Sequence, residues 1–225
     1  MKPLSRRQMA WRAAQDIEDG AYVNLGIGLP TMVSDFIPED REIVFHSENG
    51  ILGMGAAPPP GEEDKDLINA GKGLTTLVPG GVFFHHNDAF LMIRGGHLDL
   101  ALLGAFEVSE TGDLANWTTE DPSFAPGVGG AMDLAVGARE VRVLVEHVTK
   151  DGRPRIRKRC GYPLTAPRCV KRIYTNLAVM DVTPEGIVVR EMVEDLDLQR
   201  LQAMTEARLV LANDWRKLAA PGDVT

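Results

Sequence analysis

The stretch His46-Ser47-Glu48-Asn49-Gly50-Ile51-Leu52-Gly53-Met54-Gly55 puts a carboxylate in a glycine-rich turn directly after the apolar run Ile43-Val44-Phe45. Asn49-Gly50 tolerates positive φ, and the two glycines beyond keep bulk away, so a ligand or another stretch of backbone can come right up to the Glu48 side chain. That access is what a carboxylate nucleophile needs. Taken alone, a Glu beside Asn-Gly reads as a polar turn residue. Two further turns change the weighing: Asn24-Leu25-Gly26 after an apolar run, and Gly127-Val128-Gly129-Gly130. Backbone amides in such turns can approach a small acyl group and act as oxyanion donors.

Other chemistries lose their footing at the same residues. Gly26-Ile27-Gly28 resembles the start of a dinucleotide fingerprint, but Thr31 stands where the third glycine belongs. Gly71-Lys72-Gly73 is no phosphate-binding loop, because Asp66 and Gly73 occupy positions that need Gly and Ser or Thr. Five histidines include no chelating spacing, and the neighbours His85 and His86 point to opposite sides of an extended chain. Cys160 and Cys169 make no Cys-x-x-Cys pair. A metal-free protein without disulfides, working in a reducing cytoplasmic compartment, is expected.

The whole chain sets limits on partners. With 24 basic and 32 acidic residues its net charge is −8, which argues against nucleic acid or an anionic membrane. No apolar stretch approaches the ~20 residues that span a bilayer. The charged start Met1-Lys2-Pro3-Leu4-Ser5-Arg6-Arg7 lacks the apolar region of a secretory signal.

The elements that must hold these turns follow from periodicity and punctuation. Ser5-Arg6-Arg7-Gln8 is a capping box, with Leu4 and Met9 as its hydrophobic staple, and Gly20 closes the predicted helix, whose buried stripe is Met9, Ala13 and Ile17. Pro30 suits the first turn of a short helix reaching about Phe36. An apolar run at Tyr22-Val23-Asn24-Leu25 breaks at the Gly26–Pro30 turn, and strands are predicted at 42–46, 74–78, 98–103, 140–146, 177–182 and 186–190. Helices are predicted near 87–94, 130–137 and 197–205, with a shorter one around 166–172. Runs such as Leu98-Asp99-Leu100-Ala101-Leu102-Leu103 are continuous rather than alternating, so both faces of the sheet should be covered. The expected fold is α/β, a single domain over residues 1–225 with a mostly parallel sheet covered by helices. Its function then belongs at the carboxyl ends of strands, where the three glycine-rich turns are expected.

Several longer motifs carry a resemblance. Val23-Asn24-Leu25-Gly26-Ile27-Gly28, Ser47-Glu48-Asn49-Gly50 through Gly55, Asp66-Leu67-Ile68-Asn69-Ala70-Gly71-Lys72, Arg94-Gly95-Gly96-His97-Leu98-Asp99, Gly112-Asp113-Leu114-Ala115-Asn116-Trp117, Gly129-Gly130-Ala131-Met132-Asp133-Leu134 and Tyr162-Pro163-Leu164-Thr165 are similar to the B subunits of family I CoA-transferases, the 3-oxoacid and 3-oxoadipate type. The resemblance runs from about residue 5 to about residue 210. It implies that Glu48 is the nucleophile, forming a glutamyl–CoA thioester in a ping-pong exchange that needs no cofactor, with the CoA thioester itself a substrate. It also implies oxyanion or substrate contacts from Asn24, Gly129 and Gly130, and CoA binding by Lys72, for which a solvated turn lysine is the competing account. The basic run from Arg153 to Arg159 could attract CoA phosphates, although an exposed charged strand or partner-facing loop explains it better. His97, Asp99, Asn116, Trp117 and Asp133 are read as structural.

Phe83-Phe84-His85-His86-Asn87-Asp88, the segment 118–128 and the Gly130–Arg139 stretch are closer to the 3-oxoadipate branch than to the acetoacetate branch. A second acceptor carboxylate would need donors, and His85 or His86 could supply part of that pocket. The resemblance further implies an A subunit of related fold, a heterotetramer of two A and two B chains, and succinyl-CoA with a 3-oxo acid as substrates. The competing expectations are an acetoacetate-type transferase, a sugar-phosphate isomerase or sensor of the same broad fold, and an acyl-CoA hydrolase or CoA-binding scaffold.

Overall fold

Helix α1 (Arg6–Ala14) starts at its capping box: Ser5 Oγ accepts from the Gln8 amide at 3.2 Å and Gln8 Oε1 accepts from the Ser5 amide at 2.9 Å. The protein is described here by a computed structural model covering residues 2–38, 40–123, 125–222 and 224. The helix stops at Ala14, well short of Gly20, because tertiary bonds draw the next turn onto the sheet. Asp16 accepts from Arg12 at 2.8 Å, from Arg172 at 2.9 Å and from the Tyr174 hydroxyl at 2.8 Å. Met9, Ala13 and Ile17 are buried as the stripe predicts, with Ile17 carried past the helix end.

Strand β1 (Tyr22–Leu25) leads into a 3-10 helix over Leu29–Phe36, with Pro30 in its first turn. Then come β2 (Val44–Ser47), β3 (Ile51–Met54), β4 (Leu77–Phe83), α2 (His86–Arg94), β5 (Leu100–Leu103), β6 (Glu107–Ser109), β7 (Leu114–Ala115), α3 (Ala131–Gly137) and β8 (Glu140–Leu144). The chain finishes with β9 (Ile156–Arg157), β10 (Val170–Tyr174), β11 (Ala178–Thr183), β12 (Gly186–Val193), α4 (Leu198–Ala203) and β13 (Leu209–Leu218).

Ten strands form one sheet in the order β13-β12-β11-β10-β8-β5-β1-β2-β3-β4, and β7-β6-β9 form a small second sheet. The centre, from β10 through β8, β5 and β1 to β2, is parallel throughout. β3 and β4 on one flank and β11 and β12 on the other join antiparallel, while β13 returns to parallel beside β12. All four residues of β5 are buried, which explains its continuous apolar run. One cluster of buried side chains extends from Met9 in α1 to Leu218 in β13. Among the described residues, no helix is long and apolar enough to cross a membrane.

Three further expectations change. The short helix around 166–172 is instead the approach to β10, whose Val170, Ile173 and Tyr174 are buried between β8 and β11. A short apolar run suits either element, and pairing on both sides settles it as a strand. The strand expected at 74–78 begins later, as β4, and carries Pro79 in an edge position where no ladder bond is lost. The Gly127–Gly130 turn does not end a sheet strand; it leads directly into α3.

A buried ion pair clasps α1 to the far half of the sheet. Arg12 donates to both Glu191 oxygens, at 2.8 and 2.7 Å, with the two residues 8% and 4% exposed. Burial without a partner is costly for a guanidinium, and Asp16 replaces only part of what Glu191 provides. Glu191→Ala should lower the unfolding free energy by about 3 kcal/mol. The double change Arg12→Met/Glu191→Met should cost less than that single change, as measured by chemical denaturation.

Candidate active site

Glu48 lies in the reversal of the β2–β3 hairpin, where Ser47 pairs with Ile51 and leaves residues 48–50 to turn the chain. Gly50 takes φ +106°, and a side chain there would run into the Phe84 carbonyl. The Phe84 amide donates to Gly50 O at 3.0 Å, locking the turn against the end of β4. Asn49 Nδ2 donates to Ile68 O at 2.7 Å, and Ser47 Oγ accepts from the Ala70 amide at 3.0 Å, so the 68–73 loop is fastened to the same turn.

From this turn the Glu48 carboxylate reaches the start of α3. A methyl group added at Gly130 would fall on Glu48 Oε2, so the absence of a side chain at that position makes the seat for the carboxylate. Glu48 is half-buried, and burial pushes its pKa above the usual 4.5; the nearby His86 opposes the rise and Asp133 adds to it.

The seat opens onto a cleft of about 370 Å³. It is lined by the carboxyl ends of three neighbouring parallel strands, with Asn24 and Gly26 at β1, Glu48 after β2 and Gly104 after β5, and by Gly129 and Gly130. This is the crevice where α/β folds bind ligands. Gly129 has φ +52°, and neither its amide nor that of Gly130 donates to an acceptor among the described residues. Four of the residues singled out in the sequence, Glu48, Asn24, Gly129 and Gly130, therefore meet in one place.

Asn24 is 3% exposed and points its amide nitrogen at His46, with 3.0 Å to the carbonyl and 3.0 Å to Nδ1. Both hydrogens are thus spent across the β1–β2 pair. Burial lowers the pKa of His46 to about 4, so the ring is neutral and Nδ1 accepts.

Lys72 does not line the cleft. It sits exposed at φ +64° in a turn organised by Asn69, whose Oδ1 accepts from the Gly71 and Gly73 amides at 2.9 and 3.0 Å, while Ala70 alone of that loop reaches the lining. The basic run is largely tied down: Arg153 pairs with Asp151 at 2.7 Å, Arg155 donates to Phe106 O at 3.2 Å, and Arg157 lies 2.8 Å from Glu206. His85 caps α2 by accepting from the Asn87 amide at 3.2 Å, and His86 Nδ1 lies 2.8 Å from the Glu48 carbonyl. Asp99, Asn116, Trp117 and Asp133 hold Arg139, Gly104 O, Leu164 O and Arg94 respectively. The contribution of Gly104 and Phe106 was missed, although Gly104 directly follows a predicted strand and the crevice rule marks that position.

Residues 6–199 match the coenzyme A transferase family, and this chain belongs to that family. It is 58% identical over 209 residues to the B subunit of the 3-oxoadipate CoA-transferase of Pseudomonas putida, covering 93% of this chain and 98% of that one. It is 48% identical over 202 residues to the B subunit of the succinyl-CoA:3-ketoacid coenzyme A transferase of Helicobacter pylori, covering 90% and 97%. Its fold is similar to the crystal structure of an acyl-CoA transferase from Escherichia coli O157:H7, with TM-score 0.71 and 18% identity over 95% of this chain and 43% of that longer one.

Two outcomes follow from the seat. Gly130→Ala should leave the fold intact but displace the carboxylate, lowering the rate of acyl transfer by ~10²-fold, since a misplacement of about 1 Å costs that much. The second concerns pH. A carboxylate whose folded pKa is raised contributes stability that is complete below its unfolded value of 4.5 and is lost as pH rises through the folded pKa. Ionised Glu48 therefore weighs against the fold at neutral pH. Glu48→Gln should raise Tm at pH 7 and make little difference below pH 4.5, while abolishing transfer at every pH.

Proposed function

We propose that this chain is the B subunit of a CoA-transferase that moves CoA from succinyl-CoA to a 3-oxo acid, with 3-oxoadipate as the acceptor. The observation that carries the reading is the Glu48 carboxylate, half-buried at the end of β2 and seated on the Gly130 backbone.

The Glu48 carboxylate attacks the thioester carbonyl of succinyl-CoA, and collapse of the tetrahedral adduct expels CoA thiolate and leaves a succinyl–glutamyl anhydride. The thiolate attacks the glutamyl carbonyl, releasing succinate and leaving a Glu48–CoA thioester. The carboxylate of the 3-oxo acid then attacks that thioester and expels the thiolate, and the thiolate takes the acyl group of the new anhydride, restoring Glu48. One exchange is divided into easier steps, with ping-pong kinetics and no call for a metal or redox cofactor. The oxyanions of these adducts are met by the amides of Gly129 and Gly130; losing one such donor costs ~10²–10³ in rate. Asn24 lines the same cleft with its amide held on His46, and shapes the wall beside those donors. Lys72, exposed in the turn after Ala70, meets CoA outside the reacting centre.

The acceptor follows the more similar relative. The Helicobacter pylori similarity favours a second reading, transfer to acetoacetate, and the two differ outside the nucleophile. The partner is an A subunit of related fold in a heterotetramer of two A and two B chains. The names of both relatives support an A-type partner, and the Escherichia coli transferase, of which this chain covers 43%, has room for a second unit in the same polypeptide.

The test is chemical. The complex of this chain with its A subunit, incubated with succinyl-CoA and trapped with borohydride, should carry its modification on the Glu48 peptide; an unmodified Glu48 would overturn the mechanism. In the same complex kcat/KM for 3-oxoadipate should exceed that for acetoacetate, and equal values would refute the choice of acceptor.

A further inference from the structure

A nucleophile held on a hairpin turn needs its main chain fixed as well as its carboxylate seated, because a small rotation of its own peptide swings the whole side chain. The residues beside Glu48 are well held: Gly50 by Phe84, Asn49 by Ile68 O and Ser47 by Ala70. The main chain of Glu48 has one hydrogen bond among the described residues, the 2.8 Å contact from His86 Nδ1 to its carbonyl. A carbonyl only accepts, so Nδ1 carries the proton and donates.

His86 is itself well placed to be rigid. It opens α2 directly after the His85 cap, and one turn later Phe90 meets its ring edge-on with centroids 4.9 Å apart. Phe90 also borders Gly130, with its Cζ in the space that a side chain there would take, next to the Glu48 carboxylate. One turn further, Arg94 lies over the Phe90 ring at 5.5 Å and binds Asp133 of α3 at 2.6 Å. One stripe of α2 thus touches the Glu48 peptide at one end and the seat of its carboxylate at the other.

We propose that His86 is a positioning residue for the transfer reaction, setting through its Nδ1 donation to the Glu48 carbonyl the direction in which the nucleophile leaves its turn. The inference rests on Glu48 being the group that forms the CoA thioester. It assigns His86 to the nucleophile's main chain and not to the distal carboxylate of the acceptor. Its effect therefore belongs in kcat and in the rate at which Glu48 reacts, with KM hardly changed.

The variants are made in the complex with the A subunit and compared by rapid-quench mass measurement of the Glu48–CoA adduct from succinyl-CoA. His86→Ala should slow adduct formation and kcat by ~10- to 10²-fold with KM for both substrates within about twofold. His86→Asn keeps a donor at the place of Nδ1 and should recover most of the rate, whereas His86→Gln carries its donor one bond further out and should not. The Asn and Gln variants keep the comparison decisive should the Ala variant fold or assemble poorly. Wild-type rates in His86→Ala, equal rates for Asn and Gln, or a change confined to KM for the acceptor would each overturn the proposal. A wild-type complex that forms no adduct on Glu48 would instead defeat the underlying mechanism.

Discussion

The seating of the Glu48 carboxylate on the backbone of Gly130 is the contact around which the working end of this protein is arranged. For it to exist, the start of α3 must come within reach of the end of β2, and no side chain can intervene. That closeness is passed back along both helices. Gly137, at the other end of α3, lies against the Ile93 carbonyl of α2, where a side chain would also collide. The two helices can therefore approach closely, and α2 brings His86 and Phe90 to the turn that carries Glu48. The cost is electrostatic. A carboxylate half-withdrawn from water is less comfortable ionised, and the fold accepts that at a place where a reactive carboxylate is useful.

Polar groups near the cleft divide by whether their hydrogen bonds are already made. Asn24 and His46 satisfy each other across β1 and β2, and Asn116 is bound to Gly104 O and to Thr165, so these residues hold the walls. The amides of Gly129 and Gly130 have no such partner among the described residues and can answer a developing charge. Elsewhere the structure treats buried imidazoles as neutral framework. His147 is fully buried between the hydroxyls of Thr175 and Thr205, and burial takes its pKa down to about 4. The titratable group that the fold leaves half-buried at the mouth of the cleft is the carboxylate of Glu48.

Folds of this kind do not specify a reaction by themselves. The similarity to the Escherichia coli acyl-CoA transferase, at 18% identity, speaks to the architecture, and the proposed chemistry rests on a few residues around the cleft. Among those residues, Glu48 on its glycine seat is the one whose proposed role would serve transfer to any acceptor. The choice between 3-oxo acids must come from the walls of the cleft and from whatever closes over it. Much of that wall is apolar or backbone, including Leu25, Ile27, Leu103 and Phe106, which suits orienting the acyl chain next to the reacting carbonyl.

Features set by near neighbours are legible in the chain itself. The Ser5–Gln8 capping box, the glycine-rich turn that carries Glu48 and the buried run at Leu100–Leu103 each depend on residues a few positions away, and each forms where those residues indicate. The parallel sheet follows from the alternation of such runs with helices. Tertiary contact decided the remainder. It ended α1 at Ala14 by pulling Asp16 onto Arg172 and Tyr174, and it made a strand of Val170–Tyr174 by pairing it on both sides. It also turned the Asn24 amide toward His46, left Lys72 outside the cleft, and laid His86 on the Glu48 carbonyl. Propensity and capping act over single turns of chain, so the sequence alone determined which residues could do the chemistry. Which of them meet was determined by packing between segments far apart in the sequence.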